Sequence, residues 1–336
     1  MRVQLIFLGL TIHMKQKISI EPIQYFPVSK KPFEFSAGLR KINVLESRQS
    51  EQIFQIDNQW RKYRAAKLEA RKENFEKYVC KQDLDESLVR NLCAFIIDQL
   101  SKNYPQYFSI EQLETNIAFY STLSSEKFTI NQFHELIDVD SRGEEIQYAD
   151  LLDALVCQLQ EDISLSSINA DEDRISYLHL CFPNFWAAQD KIGESFISAH
   201  AAVPAMEKIS ENSRKIIKLL VNSGPFERFT WGITTDDALN QHPEKQENSG
   251  RDWSDPLTEY YLRIERQVTV PFSRHDAFLF AIRTYIREIR SLNDEEIKSL
   301  IYSLGTMPEQ VGHYKGLKNT DKRSVILRLK AAIPRY

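Results

Sequence analysis

The hydrophobic period of this chain changes along its length, and that change limits its fold more than any other feature. From Arg174 onward apolar residues alternate, as in Ile175-Ser176-Tyr177-Leu178-His179-Leu180, so that successive side chains take opposite faces of a strand that stops at Pro183. Phe226 to Ile233, Tyr260 to Pro271 and Ala277 to Ile286 read the same way. The last two are joined by a short Ser273-Arg274-His275-Asp276 turn, and together these stretches predict an antiparallel sheet. Ahead of them the spacing is helical. Ile56, Trp60, Tyr63, Leu68, Phe75 and Tyr78 mark an amphipathic helix whose interspersed Arg, Lys and Glu residues form a solvated face. Asp83-x-x-Glu86 has capping-box spacing and opens a second helix carrying Leu88, Val89, Leu92, Phe95, Ile96 and Leu100. Asp138 to Glu145 reads as a loop, with helix or strand resuming through Leu151 to Leu165. A helix from Met206 to Leu220 ends near Gly224-Pro225; Asn293-x-x-Glu296 caps another that Gly305 closes, and a last helix falls near Lys322 to Ala332. Helices grouped before and after a run of strands predict an α+β fold rather than a doubly wound α/β sheet.

Composition removes several function classes. The 43 basic and 47 acidic residues are mixed along the chain, so no one-signed field exists to recruit nucleic acid. Cys80, Cys93, Cys157 and Cys181 are widely spaced without a Cys-x-x-Cys pair, which suggests neither a zinc site nor a disulfide framework and makes a reducing cytoplasm the simplest compartment. Met1-Arg2 and the apolar run from Val3 to Ile12 outline a signal peptide, yet no small-x-small cleavage site follows and the run is too short to cross a bilayer. Residues 1–34 are expected to form a poorly ordered leader, and no membrane association is expected. The absence of a Gly-rich phosphate loop argues against a nicotinamide or ATP site in this chain.

Alternation also exposes local conflicts. Leu262, Ile264, Arg266 and Val268 share one strand face, and Arg283 shares another with Leu279, Ala281 and Tyr285. A guanidinium on an apolar face needs an anion, either a protein carboxylate or a ligand carboxylate. Arg228 alternates away from Phe229 and Trp231, toward solvent or a cleft. Glu161 and Asp162 are adjacent and cannot share a strand face, so they make a poor carboxylate pair. His200 lies among small residues in Ser198-Ala199-His200-Ala201-Ala202, a setting that suits either a satisfied core histidine or an iron ligand with space beside it; Cys181 is the other soft donor.

Seven blocks in order carry a resemblance: Gln160-Glu161-Asp162-Ile163, Cys181-Phe182-Pro183-Asn184-Phe185-Trp186, Lys191-Ile192-Gly193, His200-Ala201-Ala202-Val203-Pro204, then Arg228-Phe229-Thr230-Trp231, Leu262-Arg263-Ile264-Glu265-Arg266-Gln267 and Ile282-Arg283-Thr284-Tyr285. From about Phe35 to Arg290 the chain resembles the heme-dependent oxidative N-demethylase alpha-subunit-like family. The resemblance implies a PAS-like antiparallel sheet with flanking N-terminal and C-terminal helices: a heme-binding domain over 35–290 and a helical extension over 291–336. It implies heme b held by His200 as metal ligand, with Arg228, Trp231, Arg266 and Arg283 around the cofactor. It implies monooxygenase-type N-demethylation of a small amine with O2, in which Glu161, Glu265 and Tyr285 are the first residues to test, and electrons from a separate flavin or iron–sulfur reductase. A heme-binding PAS-like sensor or carrier without turnover is the rival. Ala202 and Thr230 depart from the family's proline and asparagine, and Val268-Thr269-Val270-Pro271 is shorter and less basic than its counterpart, so heme binding is expected to survive while substrate choice, and even catalysis, is where this chain is expected to differ.

Overall fold

The computed structural model describes residues 18–34, 38–44, 48–143, 146–169, 172–204, 212–246, 253, 255 and 257–332. Its helices are α1 (Trp60–Glu73), α2 (Phe75–Tyr78), α3 (Glu86–Asn103), α4 (Leu151–Val156), α5 (Phe196–Ala199), α6 (Ser213–Asn222), α7 (Pro243–Gln246), α8 (Asp294–Thr306), α9 (Glu309–Tyr314) and α10 (Asn319–Ala332). Its strands are β1 (Arg40–Lys41), β2 (Val79–Lys81), β3 (Phe108–Gln112), β4 (Ile117–Ser121), β5 (Glu126–Ile130), β6 (Leu136–Ser141), β7 (Asp162–Asn169), β8 (Glu172–His179), β9 (Phe226–Thr234), β10 (Tyr261–Phe272) and β11 (Ala277–Glu288).

The fold is α+β with antiparallel pairing in both sheets. The larger sheet runs β1-β9-β10-β11-β7-β8-β2 and the smaller β3-β4-β5-β6. The predicted hairpin is present as β10 and β11, paired from Tyr261 with Glu288 to Phe272 with Ala277, and Asp276 takes the left-handed conformation (φ 46°) that closes it. The small sheet escaped the sequence reading. Its strands span five or six residues, and polar groups sit inside it: Glu126 is buried because Arg64 of α1 reaches it at 2.8 Å. The expected loop at Asp138 to Glu145 is in its first part strand β6, while Glu144 and Glu145 lie outside the described residues.

One face of the large sheet meets α3, α4 and the small sheet through Val268, Val270, Leu279, Ala281, Ile163 and Leu165. Further along, Leu262, Ile264 and Tyr285 on that face pack with Leu300, Leu304 and Val325 of the C-terminal helices. Two helix ends correct the sequence reading. The N-cap of α3 is Asp85, whose side chain accepts from Ser87 N, rather than Asp83; and α8 continues through Gly305 to Thr306. The amphipathic pattern from Ile56 to Tyr78 is split at Asn74, whose extended backbone (φ −166°) separates α1 from α2. Met206 and Ile209 of the predicted helix before Gly224 lie outside the described residues, and α6 holds its remainder. Among the described residues no helix is long and apolar enough to cross a membrane.

Candidate functional site

The second face of the large sheet carries Arg228 and Thr230 of β9, Glu265 and Gln267 of β10, and Phe280 and Ile282 of β11, in register across the three strands. Ile282 is buried, and the others are half-buried. Helix α6 and Phe196 pack on one end of this face through Ile217, Leu220, Phe278 and Phe226.

His200 reaches this region because its short helix is tied down. Ser195 caps α5 by accepting from Ser198 N at 3.1 Å, Phe196 N donates to Asp173 Oδ2 at 2.6 Å, and Lys191 Nζ donates to Ala199 O at 2.7 Å. At the end of that helix His200 Nδ1 lies 2.7 Å from Phe196 O, and its ring packs on Phe196 at 4.5 Å between centroids. A carbonyl only accepts, so Nδ1 carries the proton and Nε2 keeps its lone pair. Nε2 makes no hydrogen bond with a described residue. Desolvation lowers the pKa of the ring, the Phe196 carbonyl opposes that shift, and the charges of Arg228 and Lys191 reinforce it. The imidazole is therefore neutral at pH 7.

Arg228 has a buried Nε without an acceptor among the described residues. Burial lowers its pKa, with Glu265 and Tyr314 acting in opposition. Glu265 accepts from Gln267 Nε2 at 3.0 Å and Thr230 Oγ1 at 3.4 Å. Just past α9, Lys315 donates to Trp231 O, and desolvation brings its pKa down to about 8. An imidazole nitrogen and, next to it, a guanidinium Nε, both without a partner among the described residues, are a donor set that fits an iron porphyrin with acidic side arms.

The other singled-out residues lie elsewhere. Trp231 points to the opposite face, against Phe33 and under Lys315. Arg266 and Arg283 are buried on that same opposite face, and each holds a protein carboxylate: Arg266 Nε to Glu227 at 2.8 Å and Arg283 Nη2 to Asp57 at 2.8 Å. Tyr285 donates to Gln55 Oε1. Glu161 Oε1 accepts from Gln55 N at 2.9 Å, Oε2 is buried without a hydrogen bond to a described residue, and desolvation raises the pKa. The structure thus brings together His200, Arg228 and Glu265, and separates them from Glu161, Tyr285, Trp231, Arg266 and Arg283.

Arg263, which sequence reasoning passed over, and Asp162, which it set aside as half of a poor carboxylate pair, hold the Cys181-Phe182-Pro183 block in place. Arg263, 2% exposed, donates to Phe182 O at 2.8 Å and Leu239 O at 3.1 Å. Asp162 accepts from Cys181 N at 3.0 Å and from Phe182 N at 2.6 Å. The signal for Arg263 was present, since it alternates with Glu265 on a strand, but its partners come from loops remote in sequence. Cys181 is fully buried with Sγ 3.7 Å from His179 Nδ1. Asp153, Cys157 and His179 form one cluster of metal-donor types and Asp162, His179 and Cys181 another, each within 4.8 Å. Cations and backbone groups already compensate their carboxylates: Arg71 binds Asp153 at 2.6 Å, and Lys67 lies 3.9 Å from Asp162. A structural polar network accounts for both clusters.

A family model described as haem-dependent oxidative N-demethylase, alpha subunit-like matches residues 44–325, which takes in the face bearing His200, Arg228 and Glu265 and extends past the hairpin into α10.

Proposed function

Because the chain belongs to the haem-dependent oxidative N-demethylase alpha subunit-like family, we propose that it binds heme b through His200 Nε2 on a PAS-like sheet and removes a methyl group from a small secondary amine such as dimethylamine. The observation that carries the reading is the His200 imidazole, neutral, fixed in its Nδ1–H form by the Phe196 carbonyl and open at Nε2. Metal-bound histidines commonly hold their second ring nitrogen in this way, which fixes tautomer and ring orientation.

When bound, heme supplies the activation of O2 and the oxidation of an N-methyl C–H bond; overall, a secondary amine, O2, two electrons and two protons yield a primary amine, formaldehyde and water. The chain's own residues bind and orient. Arg228 meets a propionate with its unsatisfied guanidinium, and Lys191 and Ser195 hold the helix that aims His200. Glu265, on the same sheet face as Arg228, accepts the ammonium of the substrate. Arg266 with Glu227 and Arg283 with Asp57 act from behind the sheet, as do Glu161 and Tyr285 through Gln55, setting the position of β10 and β11. The family's alpha-subunit description supports electron delivery by a separate flavin or iron–sulfur reductase, and free cysteines support a cytoplasmic setting.

Reconstitution with hemin tests the reading. The wild-type protein should show a Soret band at one heme per chain, and His200→Ala should lose it. With a reductant, O2 and dimethylamine, formaldehyde should accumulate above a no-protein control. A Soret band unchanged in His200→Ala would refute the ligand assignment, while heme binding without formaldehyde would leave a sensor or carrier.

A further inference from the structure

A groove of about 670 Å³ lies where the two sheets meet, between β2, the first turns of α3, the start of β6 and the N-terminus of α4. Pockets of about 300–1,000 Å³ are the range that accepts small organic molecules. Its apolar wall includes Val89, Leu136, Tyr148 and Leu152, and its floor includes Tyr177. This groove and the His200 region are on different faces. Tyr177 pairs in register with Leu165 on the face that packs into the core, whereas Arg228 and Glu265 point to the other face.

Two independent observations indicate a ligand. Tyr177 is only 2% exposed, yet its hydroxyl has no hydrogen-bond partner among the described residues. A buried hydroxyl without a partner costs roughly 1–3 kcal/mol, and Tyr177 is one of the residues that line a groove large enough to deliver one. The rim is biased in charge. Glu86 and Arg90 offset each other at 3.6 Å, which leaves the exposed carboxylates of Asp83, Glu135 and Asp150 against Lys81 and the imidazole of His134. Burial first, and then the charge of Asp150, raise the pKa of the Tyr177 phenol, so the hydroxyl stays protonated beside a carboxylate.

We propose that this groove binds a small organic ammonium with an apolar body, whose N–H donates to the Tyr177 hydroxyl and whose charge faces the acidic rim. Removing the hydroxyl should leave the fold intact, because an unpartnered buried polar group costs stability rather than supplying it.

The test is calorimetric titration of the full chain at pH 7 with 2-phenylethylamine and, as a control of similar shape and opposite charge, 3-phenylpropionate. The amine should bind saturably and the acid at least about tenfold more weakly. Tyr177→Phe should weaken the amine by about tenfold, the effect of one hydrogen bond to a charged group. Val89→Trp, which fills the groove from its half-buried wall, should abolish binding, and His200→Ala should leave it unchanged. Absence of saturation, equal affinity for both ions, or insensitivity to both groove variants overturns the proposal. Loss of binding in His200→Ala also overturns it, because the amine would then occupy the other face.

Discussion

An imidazole serves a metal only through a lone pair, and the hydrogen bond from Nδ1 to Phe196 O leaves that lone pair on Nε2 of His200. Desolvation holds its pKa below the ordinary histidine value, so protons should compete with iron only at lower pH. In a pH titration of the reconstituted protein, the Soret band should therefore persist below about pH 6.5, the unperturbed histidine value; a midpoint above that value would contradict the neutral, buried ring. Arg228→Ala should keep the band and weaken heme retention by about tenfold, a loss comparable to one charge-assisted contact, readable as faster transfer to apomyoglobin. Asp162 titrates in the opposite sense to most native carboxylates. Desolvation raises it from 3.8 to about 6, against the pull of Lys67 and two backbone donors. The folded chain then holds the proton more tightly than the unfolded one, so the associated stability is complete below about pH 3.8 and is lost as pH rises through about 6. Asp162→Asn should flatten that part of the stability–pH curve, and an unchanged slope in urea titrations would contradict the assignment.

Short-range chemistry decided the ends of several elements. Asn293 and Glu296 form the predicted capping box, with Glu296 N donating to Asn293 Oδ1 and Asn293 N to Glu296 Oε2, both at 3.0 Å. Asn293→Ala should cost about 1 kcal/mol, seen as a lower urea midpoint with an unchanged slope. The same spacing at Asp83 misled, because Asp83 adopts a left-handed backbone (φ 47°) and Asp85, two residues on, is the residue whose carboxylate meets Ser87 N. Spacing identifies which residues can cap; the backbone turn decides which one does. The strands β9 to β11 were legible because they run for nine to twelve residues rich in β-branched and aromatic side chains, whereas β3 to β6 were not, since they span only five or six residues and their pairing depends on contacts such as Phe119 with Phe128.

Across the whole molecule, long-range ion pairs tie the segment before α1 to the back of the large sheet. Arg283 is held by Asp57, 226 residues earlier, and its guanidinium lies 4.1 Å from the Tyr63 ring centroid. Removing one partner leaves a buried charge, so Asp57→Ala should destabilise the chain by about 3–5 kcal/mol; a change below about 1 kcal/mol in denaturant unfolding would mean that the pair contributes little. The sequence alone determined the periodicity, and with it the α+β class, the central hairpin, the requirement for anions beside Arg266 and Arg283, and the outward direction of Arg228. Only the tertiary structure decided that those anions are Glu227 and Asp57, that Glu161 and Tyr285 stand behind the sheet rather than beside His200, and that the His200 proton sits on Nδ1. The reason is physical: alternation says which face a side chain takes, but the group that it meets there belongs to whichever distant segment folding brings across.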